Sequence, residues 1–377
     1  MIIHAFVTSV VALCLRWQGR YNAFDAGVLS PQPRTGPLAG GALARGEEQM
    51  AGSTVYFARD DDGVRSALSN SSLTRFTGKA VPIKLHMGEP GNPYFIRPEL
   101  ARVVVTAVKE AGGHPFLFDT VVAYPGERSH RHGYERVAYR HGFTRDSVGC
   151  NVTIGERGVR VVEAEVALEV ATQLHEADCM VVLSHVKGHV QAGFGGAIKN
   201  LGMGGVTKAS KRRVHFMSVP VHDAGICTDC GLCVTACPSH ALSIENGWRI
   251  DRRKCEGCGK CVTACQTGAM RFDVMSLARG LAISAMACTR NKDVVYVNSL
   301  HNIAENCDCD PSPGGIVCPD IGYLVGSDAA AIDAASLDLI DRAAPDVFLR
   351  CTGVDPREQI RHAVELGMNG QYSLCEI

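Results

Sequence analysis

From Thr54 onward, short apolar runs alternate with segments of helical periodicity. Residues 54–58, 80–86 and 114–120 read as strands. Between the last two, IRPELARVVVTAVKEAGG carries an apolar face, with Pro98 in the first turn and Gly112 at its stop, and so predicts a helix. A helical segment is expected around 134–141, and a longer one over 164–177 leads into the apolar strand CMVVLSHVK. Later come a helix over 274–287, the strands DVVYVNS and IGYLVGS, a helix over 328–342, another over 357–366, and the strand QYSLCEI. This alternation predicts an α/β fold: a mostly parallel sheet with covering helices. The flanks show no internal repeat, and the two halves around a cysteine-rich segment are expected to complete one sheet. The domain reading is an α/β domain in two parts, 50–221 and 274–377, interrupted by a small α+β unit over 222–273.

The first 49 residues stand apart. MIIHAFVTSVVALCLRWQGR has an apolar run over 5–15, with no preceding positive residue and no small-x-small cleavage site, and is too short to span a bilayer. Residues 18–49 are rich in Gly, Ala, Arg and Pro. Gly46, Glu47 and Glu48 precede Met50, and their purine-rich codons would resemble a ribosome-binding site. Residues 1–49 are therefore expected to be upstream sequence or a disordered extension, with Met50 the native start.

Composition narrows the function. The net charge of −1 provides no basic field for nucleic acid or an anionic membrane. The 17 cysteines are odd in number and cluster in C-x-x-C runs, which points to metal ligation in a reducing, cytoplasmic setting rather than to disulfides. ICTDCGLCVTACPSHAL places Cys227, Cys230, Cys233 and Cys237 before Pro238, as C-x₂-C-x₂-C-x₃-C-P. KCEGCGKCVTACQTGAM repeats the spacing at Cys255, Cys258, Cys261 and Cys265, with Gln266 in place of proline. Two residues between thiolates let the backbone curl around one cubane, and the fourth cysteine faces the other cluster. Two [4Fe–4S] clusters follow, one on Cys227, Cys230, Cys233 and Cys265, the other on Cys255, Cys258, Cys261 and Cys237. Zinc sites instead pair C-x-x-C units across a longer spacer. The segment resembles a bacterial two-cluster ferredoxin, with small residues at Gly231, Ala236, Gly259 and Ala264 and an Asn246-Gly247 hairpin. That resemblance implies low-potential one-electron transfer.

The surrounding chain resembles the domain-of-unknown-function 362 family through VVLSHVKGHVQAGFGGAIKNLGMG (181–204) and VCPDIGYLVGSDAAAIDAASLDLI (317–340). The resemblance implies an α/β fold and a redox role without naming a reaction. Read from its chemistry, the first stretch ends a strand at a loop bearing His185, Lys187 and His189, where parallel sheets bind ligands. Lys187 and Lys199 are candidates to neutralise a small anionic substrate, Asn200 to orient it, and the glycines from Gly193 to Gly205 to admit close backbone approach. A flexible crossover with solvated lysines is the plainer reading.

ENCDCDPSPGGIVCPD adds Cys307, Cys309 and Cys318. Three soft ligands on one loop suggest a third metal centre, iron–sulfur or zinc, its fourth position open or filled by His301 or Cys288; reactive thiols and unliganded loop cysteines are the alternatives. Cys14, Cys150, Cys179, Cys288, Cys351 and Cys375 read as small apolar residues. Function follows as an iron–sulfur redox protein passing electrons, from a donor or acceptor protein, to a site in the α/β domain. The alternatives are a non-catalytic electron-transfer subunit and an iron–sulfur sensor or assembly protein.

Overall fold

A computed structural model describes residues 52–377 except 253, 256, 273 and 274. The expected extension over 1–49, with Cys14 and the start at Met50, lies outside the described residues. Eight strands form one sheet: β1 (Ser53–Ala58), β2 (Ala80–Lys84), β3 (His114–Thr120), β4 (Asn151–Gly155), β5 (Cys179–His185), β6 (Asp293–Leu300), β7 (Gly322–Gly326) and β8 (Tyr372–Glu376). Their spatial order is β8-β1-β7-β6-β5-β2-β3-β4. Strands from before and after the cysteine-rich segment thus share one sheet. Neighbours run parallel except at β7, which is antiparallel to both β1 and β6.

The helices that matter here are α1 (Asp61–Asn70), α2 (Pro98–Glu110), α3 (Arg131–Arg140), α4 (Ala197–Gly204), α5 (Lys208–Met217), α6 (Leu277–Thr289), α7 (Ala329–Ala343) and α8 (Glu358–Glu365). They cover both faces of the sheet, so the central strand β5 is buried along its whole length. Its side chains alternate between two cores. Met180 and Val182 join α4, α6 and α7 on one face, while Val181 and Leu183 join α1 and α2 on the other. Leu100, Val104 and Val108 of α2 are buried, each contributing roughly 1.5–3 kcal/mol by leaving water. Pro98 opens α2, and Gly112, at φ 81°, adopts the left-handed backbone that ends the helical run. Asp328 is the N-cap of α7 rather than its first residue: its carboxylate accepts the Ala331 N–H at 2.8 Å.

The helix expected over 164–177 is not there. Gly158–Glu163 pairs antiparallel with Val166–Ala171, and only Thr172–Glu176 is helical. Val166, Leu168 and Val170 alternate inward with period two, and the tight turn falls on Ala164 and Glu165, both at positive φ. Those residues carry no Gly or Asn turn signal, so the hairpin passes for an Ala/Glu-rich helix. Within the cysteine-rich segment, Pro220–His222 pairs antiparallel with Met270–Phe272, bringing the chain's entry and exit together. Leu242–Ser243 pairs with Arg249–Ile250 around Gly247 at φ 83°. Among the described residues, no helix is long and apolar enough to cross a membrane.

Candidate functional site

β5 and β6 are parallel and in register, with Ser299 opposite His185, so the loops that follow them leave by the same edge. β2 and β3 run the same way and add theirs. Four loops therefore converge at the carboxyl edge, where parallel sheets bind ligands. The β5 loop opens with a small hairpin, Lys187–His189 against Gly193–Gly195. Gly188 lies so close to the β6 loop that a Cβ on it would stand 2.0 Å from the Glu305 carbonyl oxygen.

The convergence buries an ionic network. Asp308, 1% exposed at its side chain, holds Lys187 Nζ at 2.9 Å, with His86 Nδ1 at 3.4 Å and His185 Nδ1 at 3.6 Å. Burial alone would raise its carboxyl, but Lys187 and His86 hold it well below the usual carboxylate range. Behind it, Lys84 at the end of β2 pairs with Asp119 of β3 at 3.1 Å and donates to Asn200 Oδ1 at 2.6 Å. Tyr134 of α3 donates to the same Asp119 at 2.5 Å. Fully buried Arg128 reaches Glu89 at 2.6 Å and donates to His86 Nε2 at 2.6 Å and to the Tyr124 hydroxyl. Lys211 of α5 donates to Thr120 Oγ1 at 2.7 Å, and burial brings its ammonium down to about 7.

All four sequence candidates lie in this constellation. His185 Nε2 is 2.9 Å from the His301 carbonyl, and Lys199 Nζ donates to Cys307 Sγ at 3.3 Å. Both lysines expected to meet an anionic substrate therefore already face internal anions, Asp308 and the Cys307 sulfur. Asn200 bonds Lys84, Leu183 and Ser184 instead of an open face. The glycines serve packing: Gly202 admits Leu281, Gly205 admits Cys288, and Gly196 admits Asp333. The Asp333 carboxylate caps α4 through the N–H groups of Ala197 and Ile198, at 2.7 and 2.9 Å.

Cys307 and Cys309 meet at the front of this network. With His189 they offer ligand atoms that all lie within 4.8 Å of one another, a donor set that could hold a metal ion. Cys318 is not in this group. It sits in a short strand opposite Ile303, packed in the apolar core. The suggested fourth ligands are elsewhere too: Cys288 is buried in α6, and His301 lies against Tyr323 with ring centroids 4.3 Å apart. Burial would raise the Cys307 thiol, yet a hydrogen bond with Cys309 and the Lys199 ammonium take it well below the ordinary thiol range. That same bond, with burial, pushes Cys309 up. Sequence reasoning missed His86, Glu89, Asp119, Tyr124, Arg128 and Tyr134. Lys84 and Asp119, charges at the ends of otherwise apolar strands, were the signal available.

The cysteine-rich segment repeats its own geometry. Gly231 (φ 75°) and Gly259 (φ 74°) precede the one-turn helices Leu232–Thr235 and Lys260–Thr263. The Cys261 thiol is pushed up to about 12 by burial and then by Cys258, Cys255 and Cys237. Backbone N–H groups of Asp229, Ala241 and Met270 point at the sulfurs of Cys227, Cys237 and Cys265, at 3.4, 3.2 and 3.3 Å. Among the described residues no disulfide joins two cysteines; Cys150, Cys179 and Cys288 are buried, whereas Cys351 and Cys375 are exposed.

Comparison with known proteins returns no match among curated sequences. Among solved structures, the chain is similar to the lactate racemase apoprotein from Thermoanaerobacterium thermosaccharolyticum, at 11% identity and a TM-score of 0.34, over 68% of this chain and 52% of that one. It is similar to a Thermotoga maritima protein at 10% identity and a TM-score of 0.38, over 81% of this chain and 59% of the other. The chain thus spans little more than half the length of these two structures. The family model for DUF362, a domain of unknown function, matches residues 81–338. That match covers well over half of the sequence, and the chain belongs to the DUF362 family.

Proposed function

We propose that this DUF362 protein is an iron–sulfur redox protein that moves electrons through two [4Fe–4S] clusters to the carboxyl-edge site. The carrying observation is the company of Cys261. Burial raises its thiol most, and the groups that raise it further are Cys258 and Cys255 of its own repeat and Cys237 of the other. That is the set a cubane wired across two repeats requires. Cys255, Cys258, Cys261 and Cys237 would hold one cluster, and Cys227, Cys230, Cys233 and Cys265 the other. Cysteines outside any disulfide, curled backbone and N–H groups aimed at sulfur fit such groups. When bound, the clusters supply one-electron transfer at low potential.

The chain's own residues favour delivery to the site. Lys260 of the second repeat lies beside Gly353, where a Cβ would be 3.7 Å from its Nζ. The adjoining Val354 carbonyl packs on Gly193, the hairpin partner of His189. Electron arrival there supports an oxidoreductase acting on a small anionic substrate in a cytoplasmic, reducing setting; an electron-transfer subunit docking on a larger complex would use the clusters alone. The test is anaerobic purification with iron and sulfide quantification and EPR. About eight irons per chain are expected. Cys237→Ala should damage the cluster held by Cys255, Cys258 and Cys261; loss confined to the other cluster's signal refutes the crossed wiring.

A further inference from the structure

Cys307 and Cys309 sit in one tight turn, closed by the Asp310 N–H donating to the Cys307 carbonyl at 2.9 Å. Neighbouring loops fix that backbone. The Glu89 N–H donates to the Asp308 carbonyl at 3.1 Å, Asn92 Nδ2 to the Asp310 carbonyl at 2.6 Å, and the Tyr124 hydroxyl to the Cys309 carbonyl at 3.3 Å. The two sulfurs lie within 4.8 Å of each other, so side-chain rotation, with little movement of the turn, brings them toward the roughly 2.05 Å of a disulfide. Cys307 Sγ also accepts the Cys309 N–H and the Lys199 ammonium, each at 3.3 Å. Cys307 is buried and Cys309 half-buried, so Cys309 is the more exposed residue of the two.

His189 decides between a metal and a redox pair. Its Nδ1 accepts the N–H groups of Gln191 at 3.2 Å and Ala192 at 3.1 Å. In the neutral ring the proton then sits on Nε2, so neither nitrogen has a free lone pair for a cation. Two sulfurs without a committed imidazole make an incomplete zinc site, but a complete set of parts for thiol–disulfide exchange.

We infer that Cys307 and Cys309 are a redox-active dithiol that closes to an intraloop disulfide while reducing a small disulfide substrate. Cys309 passes its proton to the hydrogen-bonded Cys307 sulfur and attacks one substrate sulfur as the thiolate, forming a mixed disulfide. The first substrate thiolate leaves and takes that proton from Cys307. The Cys307 thiolate, held by Lys199, then displaces the second substrate sulfur as thiolate, and the intraloop bond forms. The substrate gains two electrons and the protein loses them. Two one-electron transfers from the reduced iron–sulfur centres, with uptake of protons, reopen the pair. Only that last step rests on the electron-transfer reading above. Closure also removes the sulfur anion facing Lys199, leaving an ammonium for an anionic group on the departing product.

The test equilibrates anaerobically purified protein in glutathione buffers of graded redox ratio, counts iron on an aliquot, quenches the rest with iodoacetamide in denaturant so that buried thiols also react, and maps peptides by mass spectrometry. The expected result is a peptide linking Cys307 to Cys309 and lacking two hydrogens, both residues escaping alkylation at one shared midpoint. Cys318→Ser should leave that midpoint unchanged, and Cys309→Ser should abolish the link while Cys307 stays alkylatable. The inference is overturned if the two cysteines titrate independently or stay reduced at every ratio. It is equally overturned if one zinc or iron per chain co-purifies and is lost in Cys309→Ser. A dithiol that titrates in a sample lacking iron would defeat the electron-source reading and leave this one standing.

Discussion

Replacing Asp308 by Asn tests whether the buried ion network holds the four loops together. Asp308 is 1% exposed, its Lys187 partner 8%, and they stand 2.9 Å apart, so solvent screens the pair little. Asparagine keeps the shape and removes the charge, leaving the Lys187 ammonium buried with neutral partners only, the new amide oxygen and the His185 carbonyl at 2.7 Å. Breaking a buried pair from one side costs roughly 3–5 kcal/mol, because the surviving charge goes uncompensated. The sign with pH follows from the depressed carboxyl. Its stabilisation is present above the unfolded aspartate value, about 3.9, and lost as pH falls below that toward the folded value. Urea unfolding at pH 7 should therefore show Asp308→Asn destabilised by several kcal/mol, with the deficit narrowing below about pH 4. Adding Lys187→Met to the variant should recover much of the loss. A single variant within 1 kcal/mol of the parent at pH 7, or a double variant no better than the single, would refute the account.

Gly188→Ala puts a methyl 2.0 Å from the Glu305 carbonyl oxygen, and overpacking of this kind typically costs about 1–3 kcal/mol. A lower Tm and a changed Cys307 alkylation rate are expected; an unchanged Tm would mean that the two loops do not approach so closely. Lys211, with its ammonium brought down to about 7 by burial, is charged and unfavourable below that pH, while the unfolded chain stays protonated up to about 10.5. Stability attributable to this group should rise as pH climbs from 7 to 10.5, so Lys211→Met should compare better with the parent at pH 6 than at pH 10. Denaturation midpoints at both values check it, and the opposite order would contradict the burial argument.

The elements legible in the chain were those whose signal is local. A continuous apolar run announced β5, because a strand covered on both faces needs no alternation. Pro98 and Gly112 bracketed α2, and Asn246-Gly247 marked a turn. The two cysteine repeats declared their spacing without any fold. Where local signals were ambiguous, tertiary packing chose. The run over 158–171 became a hairpin since period-two valines and leucines could enter the core only as strands, and a turn without glycine formed at Ala164 and Glu165.

The site divides in the same way. Its chemistry-bearing loops could be placed at one edge from strand order, so His185, Lys187, His189, Lys199, Cys307 and Cys309 were named in advance and lie together. Their partners could not be. Asp308 binds a lysine 121 positions away in sequence, while Glu89 and Arg128 join from two further loops and Asp119 from the end of β3. Cys318, only nine residues beyond Cys309, turns instead into the apolar core. Spacing along the chain determines which ligands can reach one another within a turn. Which charges share one dry volume depends on how parallel strands order themselves in space, and that was decided by packing on both faces of the sheet.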